Sequence, residues 1–384
     1  MRFGIDLLLM MAPRYRGQRL ALVTNDAALT STGEKTRAAL LREGFPVVKI
    51  FSPEHGINAA GEDGAWQSSG TDPLTGLPLI SLYGDQLAPS EEDLKDVDRV
   101  IFDIPDIGCR FYTYLWTMTY VMESCARDGK QLIILDRPNP IGADLSKAEG
   151  PMLDEVHCSS FIGRWNIPLK HACTLGELAQ YFRATRMPQL NLHVIQVADY
   201  TRNQMAGTDF PFTPTSPAIQ NINAALLYPG LGLLEGVNVN ENRDNSLAFQ
   251  SCGAPWIRSN ELAAGLSKHK LPGLDIRPMT YTPQSGLYAY ETCHGVKFNI
   301  TDSSALMAVD TGIKLLQTLA ALYPEHLTER LYKTLANPGG KGHLERLVGV
   351  RGVWERIMES SAPPINFERE FLNNIQPYIL YQAK

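Results

Sequence analysis

The amino-acid sequence predicts an α/β fold, in which a Rossmann-like, doubly wound and mostly parallel sheet is followed by a smaller C-terminal α+β domain. Two observations support this prediction. In the first half of the chain, short apolar runs typical of strands covered on both faces alternate with segments of helical periodicity. After about residue 245, strand-like segments and then helices replace this alternation. With 384 residues, the chain has room for a larger domain at residues 1–240 and a smaller one at residues 241–384.

The repeated units can be followed along the chain. A continuous apolar run at residues 20–24 predicts the first strand, and a helical pattern at residues 33–43 ends before Gly44. The next predicted strands are residues 47–51, 79–82, 100–104 and 132–135, and a long helix is predicted at residues 112–127. Repeated units of this kind imply parallel strands. The later predicted elements are a helix at 175–186, strands at 192–197, 276–281 and 296–300, a proline-rich loop at 210–217, and helices from residue 305 onward.

Composition and charge argue against several classes of protein. A formal net charge of -6 disfavours a nucleic-acid-binding protein, and no apolar run approaches the roughly 20 residues that span a bilayer. The six cysteines are scattered, and neither close Cys/His pair has the spacing of a zinc site, so we expect no metal. The glycine-rich residues 230–236 depart from the spacing of a dinucleotide-binding motif, so the sheet alone does not indicate a nucleotide cofactor.

Polar and ionisable residues follow four of the predicted strands. They lie within residues 24–26, 52–56, 103–110 and 136–140. Because ligands of an open parallel sheet bind outside the carboxyl ends of its strands, we expect these groups to converge on one site. Each group also has a structural explanation: Glu54 could cap a helix, Asp106 and Arg110 could form an ion pair, and residues 136–139 have the composition of a turn.

A series of motifs runs in consistent order along the chain from Gly4 to near the C-terminus. They are FSPEHG (51–56), FDIPDIG (102–108), RFYTY (110–114), LDRPNPIG (135–142), EGP (149–151), YPG (228–230), LEG (234–236) and GAPW (253–256). This series resembles the bacterial exo-acting β-N-acetylmuramidases, a peptidoglycan glycoside hydrolase family formerly known as a domain of unknown function.

The resemblance implies a Rossmann-like catalytic domain and a C-terminal domain that closes the active-site cleft. It also implies hydrolysis of terminal, non-reducing β-1,4-linked N-acetylmuramic acid without a metal or organic cofactor. The partners would then be disaccharides or muropeptides that contain this sugar, with neither nucleic acid nor a membrane span. The glutamate of the FSPEHG motif, Glu54, would be the catalytic residue.

The chain also departs from the family pattern. Thr24-Asn25-Asp26 stands where relatives often carry Thr-Asn-His, and residues 240–244 (NENRD) replace a more usual Ser-Glu-Gly-Arg-Gly, which leaves the subsites open. Many relatives are exported, whereas the domain here starts almost at Met1, and the apolar residues 7–12 are short for a signal peptide. We expect a cytoplasmic protein if Met1 is the true start, and a periplasmic or secreted one if a leader has been removed.

Cleavage of a glycosidic bond requires a proton donor and stabilisation of an oxocarbenium-like transition state. We expect Glu54 to be the general acid, with a pKa raised by partial burial, and His55 to orient it or relay the proton. Asp106 is the candidate second carboxylate, as a base, as an electrostatic partner, or to orient the substrate's own 2-acetamido nucleophile. Arg110 or Arg137 would bind the lactyl carboxylate through a bidentate guanidinium.

The remaining predicted site residues would bind the sugar. Tyr112 and Tyr114, at the start of the long helix, could stack on it or form hydrogen bonds with it. The other predicted substrate-binding residues are Asn25, Asp136, Asn139 and Glu235.

Three alternative functions remain open. Another amino-sugar glycosidase, such as a β-N-acetylglucosaminidase, would be indifferent to the lactyl group. A catalytically silent muropeptide-binding protein would bind muramyl sugars and release nothing. A nucleotide-dependent oxidoreductase is suggested by the sheet alone and would have to bind a nucleotide cofactor.

Overall fold

A computed structural model describes residues 1–334, 337–359 and 369–383. Its strands are β1 (Leu20–Thr24), β2 (Val47–Ser52), β3 (Gly70–Thr71), β4 (Pro78–Ser81), β5 (Arg99–Asp103), β6 (Gln131–Leu135), β7 (Glu149–Met152), β8 (Pro168–Lys170), β9 (Leu192–Ile195), β10 (Ser251–Ala254), β11 (Leu274–Tyr281) and β12 (Cys293–Ile300). Its α-helices are α1 (Gly4–Leu9), α2 (Thr36–Arg42), α3 (Glu91–Leu94), α4 (Tyr114–Arg127), α5 (Leu175–Arg186), α6 (Ile222–Leu231), α7 (Ser259–Ser267), α8 (Ala308–Leu322), α9 (His343–Val348), α10 (Val353–Met358) and α11 (Arg369–Ile375).

Seven strands form the main sheet of the described chain, in the order β3-β4-β2-β1-β5-β6-β9. Neighbouring strands pair in parallel, except that the short β3 is antiparallel to β4. The strand order reverses beside β1, because β2 and β4 lie on one side of it and β5, β6 and β9 on the other. The predicted α/β fold with a mostly parallel sheet is therefore confirmed.

Burial explains why these segments form strands and helices. Every residue of β1 is buried, as expected of a central strand with helices on both faces. Helix α5 begins at a capping box, in which Thr174 Oγ1 accepts from the backbone N–H of Glu177 and the Glu177 carboxylate accepts from the backbone N–H of Thr174. The strand and helix boundaries predicted in this half of the chain agree with the structure to within a few residues.

The C-terminal region has a separate antiparallel sheet in the order β10-β12-β11. Its helix α8 packs closely on α6, because glycines face each other where the two helices meet. A Cβ atom on Gly230 would lie 1.9 Å from the carbonyl oxygen of Ala308, and one on Gly312 would lie 2.3 Å from that of Gly230. Side chains from both regions form one hydrophobic cluster. The smaller C-terminal region with its own sheet is thus confirmed, whereas the boundary at residue 240 stays a prediction.

Some elements differ from the prediction or fall outside it. The glycine-rich segment at residues 230–236 ends the unpredicted helix α6, and strands β3, β7, β8 and β10 were not predicted either. Of the helices predicted from residue 305 onward, the parts at residues 335–336, 360–368 and 384 lie outside the described residues. In the part of the chain that the structure describes, no helix is long and apolar enough to cross a membrane.

Candidate active site

A cavity of about 470 Å³ lies beyond the carboxyl ends of β2 and β4, within the size range of small-molecule sites. Its walls on the sheet side come from the turn after β2, Tyr83 after β4, and residues 111–113 before α4. Segments that follow α6 complete it, including residues 240–244, 285–287 and 330–334. Both parts of the chain therefore contribute side chains to one enclosed space.

Glu54 is buried at the wall of this cavity. Its Oε1 accepts a 2.8 Å hydrogen bond from the backbone N–H of Gly64, and its Oε2 accepts a 2.6 Å bond from Thr113 Oγ1. Burial raises the pKa of Glu54, and the negative charge of Asp63 raises it further, although His55 and the two hydrogen bonds oppose the shift. The carboxyl group is thus fixed in orientation, and its pKa is shifted in the direction that a general acid requires.

His55 follows in a left-handed backbone conformation, with a φ of 65°. Its Nδ1–H donates a 2.8 Å hydrogen bond to the carbonyl oxygen of Gly61. Because a carbonyl can only accept, Nδ1 is the protonated nitrogen of this bond. The tight turn therefore fixes the orientation of a histidine ring that lines the cavity.

Asp63 is the carboxylate that acts most strongly on Glu54, and the sequence prediction missed it. Its Oδ2 lies 3.0 Å from Arg243 Nη1 and accepts a hydrogen bond from the hydroxyl of Tyr332. Burial alone would raise the pKa of Asp63, but Arg243, His55 and Tyr332 outweigh burial and lower it. The pKa values of Asp63 and Glu54, which line the same cavity, are therefore shifted in opposite directions.

Arg243 joins three carboxylates around the cavity. Its guanidinium lies 3.0 Å from Asp63, 2.8 Å from Glu235 and 2.9 Å from Glu241. Burial alone would lower the pKa of Arg243, but the surrounding acidic groups hold it well above its usual value. The segment that departs from the family pattern, residues 240–244, thus supplies the central cation of the site.

Four of the predicted site residues line the cavity: Glu54, His55, Tyr112 and Glu235. The Tyr112 hydroxyl donates a 2.8 Å hydrogen bond to Thr215 Oγ1, so the ring is held as a wall. Tyr114 does not line the cavity, because its ring is buried and its hydroxyl donates to the carbonyl oxygen of Thr215 at 2.8 Å.

The structure gives no support to the predicted role of Arg110, because its side chain is fully buried away from the cavity. Its guanidinium donates hydrogen bonds to the carbonyl oxygens of Pro151, Ile167, Leu347 and Val348, at 2.7 to 3.1 Å. Burial lowers the pKa of Arg110 to about 10. Arg110 therefore ties α9 to the sheet side of the molecule and has no nitrogen directed at a substrate.

Arg137 is also engaged elsewhere. It binds both oxygens of Asp103, with Nε 2.6 Å from Oδ1 and Nη2 2.8 Å from Oδ2. Because this bidentate pair lies at the carboxyl edge of the sheet and does not line the main cavity, Arg137 is not placed to bind a sugar there. Neither arginine proposed for the lactyl carboxylate therefore reaches the site.

Asp106 is not in the cavity with Glu54, so the structure gives no support to its predicted catalytic role either. Its Oδ2 accepts from the backbone N–H of Gly108 at 2.9 Å and lies 3.2 Å from Nε2 of the buried His171. Oδ1 has no hydrogen-bond partner among the described residues. The expected ion pair with Arg110 does not form either, since that guanidinium binds carbonyl oxygens.

The last three predicted residues hold loops together. Asn25 Oδ1 accepts from the backbone of Ala27 at 3.1 Å, and Asn139 bridges the carbonyl oxygen of Cys173 and the backbone N–H of Ile141. Asp136 is fully buried and accepts from Thr174, Gly176 and Tyr381. All three side chains lie outside the cavity, and their contact with substrate stays a prediction.

The described residues contain no group of three or more His, Cys, Asp or Glu side chains arranged to hold a metal ion. The chemistry that the cavity offers is that of two carboxyl groups with opposite pKa shifts. Pairs of this kind mark the acid and the charged partner in acid–base catalysis, including glycoside hydrolysis.

Comparisons with known proteins indicate the family of the chain. Family models described as exo-beta-N-acetylmuramidase NamZ match residues 20–223 (N-terminal) and 226–381 (C-terminal). The peptidoglycan beta-N-acetylmuramidase NamZ of Bacillus subtilis (strain 168) is 39% identical, and the match covers 98% of this chain and 91% of that protein. Two crystal structures of DUF1343 family proteins from Bacteroides fragilis NCTC 9343 are similar. The first has a TM-score of 0.85 and 30% identity, and the match covers 99% of this chain and 99% of that one. The second has a TM-score of 0.75 and 28% identity, and the match covers 100% of this chain and 99% of that one.

Proposed function

The chain belongs to the exo-β-N-acetylmuramidase NamZ family, and on this premise we propose that it is a glycoside hydrolase that removes N-acetylmuramic acid from peptidoglycan fragments. The family predicted from the motifs is thereby confirmed. The substrate is derived from peptidoglycan, and the bond cleaved is the terminal β-1,4 linkage at the non-reducing end. One observation supports this chemistry most strongly: in one cavity Thr113 and the backbone of Gly64 hold the buried carboxyl group of Glu54, while Arg243 and Tyr332 bind the second carboxylate, Asp63.

Glu54 is the proton donor in this proposal. Its carboxyl group is held by Thr113 and by the backbone of Gly64, so it delivers the proton from a fixed position to the oxygen of the leaving sugar. If the substrate's own 2-acetamido group displaces the leaving sugar, the ionised Glu54 then takes a proton from the water that enters on the same face. If water attacks directly from the opposite face, its proton passes to a second base, for which Asp63 is the candidate. A positioned general acid contributes about 10²- to 10⁴-fold to the rate.

Asp63 is the electrostatic partner in this proposal and takes the place first given to Asp106. It remains negative because Arg243 and Tyr332 stabilise its charge. A fixed negative charge stabilises the positive charge that develops on the sugar ring in an oxocarbenium-like transition state. This role is compatible with attack by water or by the substrate's own 2-acetamido group.

The test measures hydrolysis of two disaccharides that contain the same two sugars in opposite order. One has N-acetylmuramic acid β-1,4-linked at the non-reducing end of N-acetylglucosamine, and the other has the two sugars exchanged. We expect the protein to release both monosaccharides from the first only, and Glu54→Gln to release none while its melting temperature stays unchanged. Cleavage of the second disaccharide alone would replace the proposal by a glucosaminidase. No cleavage of either, with binding of the first retained, would replace it by a binding protein.

A further inference from the structure

The cavity is acidic, although its proposed substrate carries a negative charge. Six carboxyl groups line it, against the guanidinium groups of Arg243 and Arg330: Glu54, Glu62, Asp63, Glu235, Glu241 and Asp244. N-acetylmuramic acid differs from N-acetylglucosamine by a lactyl carboxylate. A carboxylate that enters such a space requires a cation that the protein has not already neutralised.

Arg243 does not meet this requirement. Its guanidinium lies within 3.0 Å of each of three carboxylates, Asp63, Glu235 and Glu241. A fourth carboxylate at Arg243 would have to displace one of these and would face the repulsion of the other two. Binding of the lactyl carboxylate to Arg243 would also offset the positive charge by which Arg243 lowers the pKa of Asp63.

Arg330 differs from Arg243 in that its charge is weakly paired. Its nearest carboxylate oxygen, Glu241 Oε2, lies 3.6 Å from Nη1, and neither atom has a hydrogen-bond partner among the described residues. Arg243 Nη2 has no such partner either, although it lies 2.8 Å from Glu235, so the two arginines differ in the distances to their carboxylates. The guanidinium carbon stands 5.0 Å from the ring centre of Tyr332, and the backbone N–H of Arg330 donates 2.9 Å to the carbonyl oxygen of Gly236. The side chain lines the cavity and is 23% exposed, whereas its unpaired Nη1 is buried.

We propose that Arg330 binds the lactyl carboxylate of the substrate and thereby determines specificity for N-acetylmuramic acid. This inference rests on the proposed function and identifies the residue that selects the acidic sugar. A planar guanidinium binds a carboxylate through two parallel hydrogen bonds, which an unsubstituted sugar cannot form. Such a site discriminates strongly, because without the carboxylate its buried N–H group stays unpaired.

The test compares two nitrophenyl β-glycosides of N-acetylmuramic acid, one with a free lactyl carboxylate and one with that carboxylate converted to a methylamide. The quantity measured is the ratio of kcat/KM for the acid to kcat/KM for the amide. We expect Arg330→Met to lower kcat/KM for the acid by about 10- to 100-fold, mainly through KM, and to leave the amide within about twofold. The ratio then falls towards one. Arg330→Lys, which keeps the charge without the fork, should give an intermediate ratio.

Arg258→Met is the matched control, because Arg258 lies in the same region, outside the cavity, in an exposed ion pair with Glu261. It should keep the wild-type ratio. A wild-type ratio in a folded Arg330→Met would overturn the inference and leave the proposed function standing. If Arg330→Met does not fold, the ratio of Arg330→Lys decides: an unchanged ratio overturns the inference.

Failure of the proposed function gives a different result. In that case the wild-type protein hydrolyses neither glycoside, and calorimetric binding of free N-acetylmuramic acid and N-acetylglucosamine replaces the kinetic ratio. A preference for the acidic sugar that Arg330→Met abolishes would support Arg330 as its ligand. An equal preference in both proteins would overturn that role.

Discussion

Thr113 Oγ1 donates a 2.6 Å hydrogen bond to Glu54 Oε2, which joins the residue just before α4 to the turn after β2. The bond orients the carboxyl group and favours its ionised form, so it opposes the effect of burial on the pKa of Glu54. Thr113 therefore influences both the position and the acidity of the proposed proton donor. Two of the predictions below follow from the forces that set this pKa.

Replacement of Thr113 by Val should move the basic limb of the kcat/KM–pH profile to higher pH. The protonated form of Glu54 is the active one, and the loss of a hydrogen bond that lowers its pKa leaves the pKa higher. The rate at the optimum should fall roughly tenfold, because the carboxyl group loses an orienting contact. Thr113→Ser keeps the hydroxyl and should retain the wild-type limb. A shift of the limb to lower pH in Thr113→Val would contradict the assignment of Glu54 as the acid.

Replacement of Asp63 by Asn should move the basic limb of the kcat/KM–pH profile to lower pH. The charge of Asp63 raises the pKa of Glu54, so a neutral amide lets Glu54 ionise at lower pH. We also expect kcat to fall about 10²-fold or more, because the negative charge near the sugar is lost. The pH–rate profiles of both proteins test the sign. Asp106→Asn, outside the cavity, serves as the comparison and should leave the limb in place.

Replacement of Arg110 by Met should destabilise the fold and leave substrate binding intact. The substitution removes four hydrogen bonds to buried carbonyl oxygens and with them the link to α9. The free energy of unfolding should fall by about 3–5 kcal/mol, as when one partner of a buried charged contact is removed. Denaturant-induced unfolding measures this loss. Arg127→Met is the control, because Arg127 is exposed, and its free energy of unfolding should stay within about 0.5 kcal/mol of the wild-type value. A stable Arg110→Met with a raised KM would instead return Arg110 to the binding site.

Replacement of Gly230 by Ala should separate α6 from α8. A methyl group there would lie 1.9 Å from the carbonyl oxygen of Ala308, closer than any side-chain atom can pack. Because the obstructing atom is backbone, relief requires a helix to move, and we expect a loss of about 3 kcal/mol or more. Thermal unfolding measures it. Gly70→Ala, with no atom within 4 Å of the added methyl, should change stability little, and equal stability of both variants would refute the close helix contact.

The sequence predicted the main sheet well because its signals are local. The run Leu20–Thr24 is apolar throughout, and this is the pattern of a strand that helices cover on both faces. Short strands such as β7 and β8 were missed, because their few residues include Pro151 and Pro168 and carry no alternating pattern. Helix α6 was missed because Pro229 and the glycines after it are typical helix breakers, and here the packing against α8 outweighs propensity.

The site could be predicted only in part. Glu54 and His55 stand in a recognisable motif directly after a strand, and both line the cavity. Asp63, Arg243 and Arg330 lie far from one another in the sequence, and only the folded chain brings them together. The acidic pair Glu62-Asp63 closely follows the FSPEHG motif, and this was the one sequence signal that could have indicated Asp63 as a site residue. Arg110 and Arg137 were predicted to bind the substrate, whereas the structure shows both bonded to oxygens of the protein, a difference that a sequence does not reveal.

The central claim is that Glu54 donates the proton to the leaving group, and its most direct test varies the need for that proton. Glu54→Gln is assayed on two substrates. One is the disaccharide with N-acetylmuramic acid at its non-reducing end, whose leaving alcohol requires protonation. The other is a dinitrophenyl β-glycoside of N-acetylmuramic acid, whose leaving phenolate does not. We predict a loss of about 10³-fold or more on the disaccharide and of less than about tenfold on the dinitrophenyl glycoside. Equal losses on both substrates would show that Glu54 is not the proton donor.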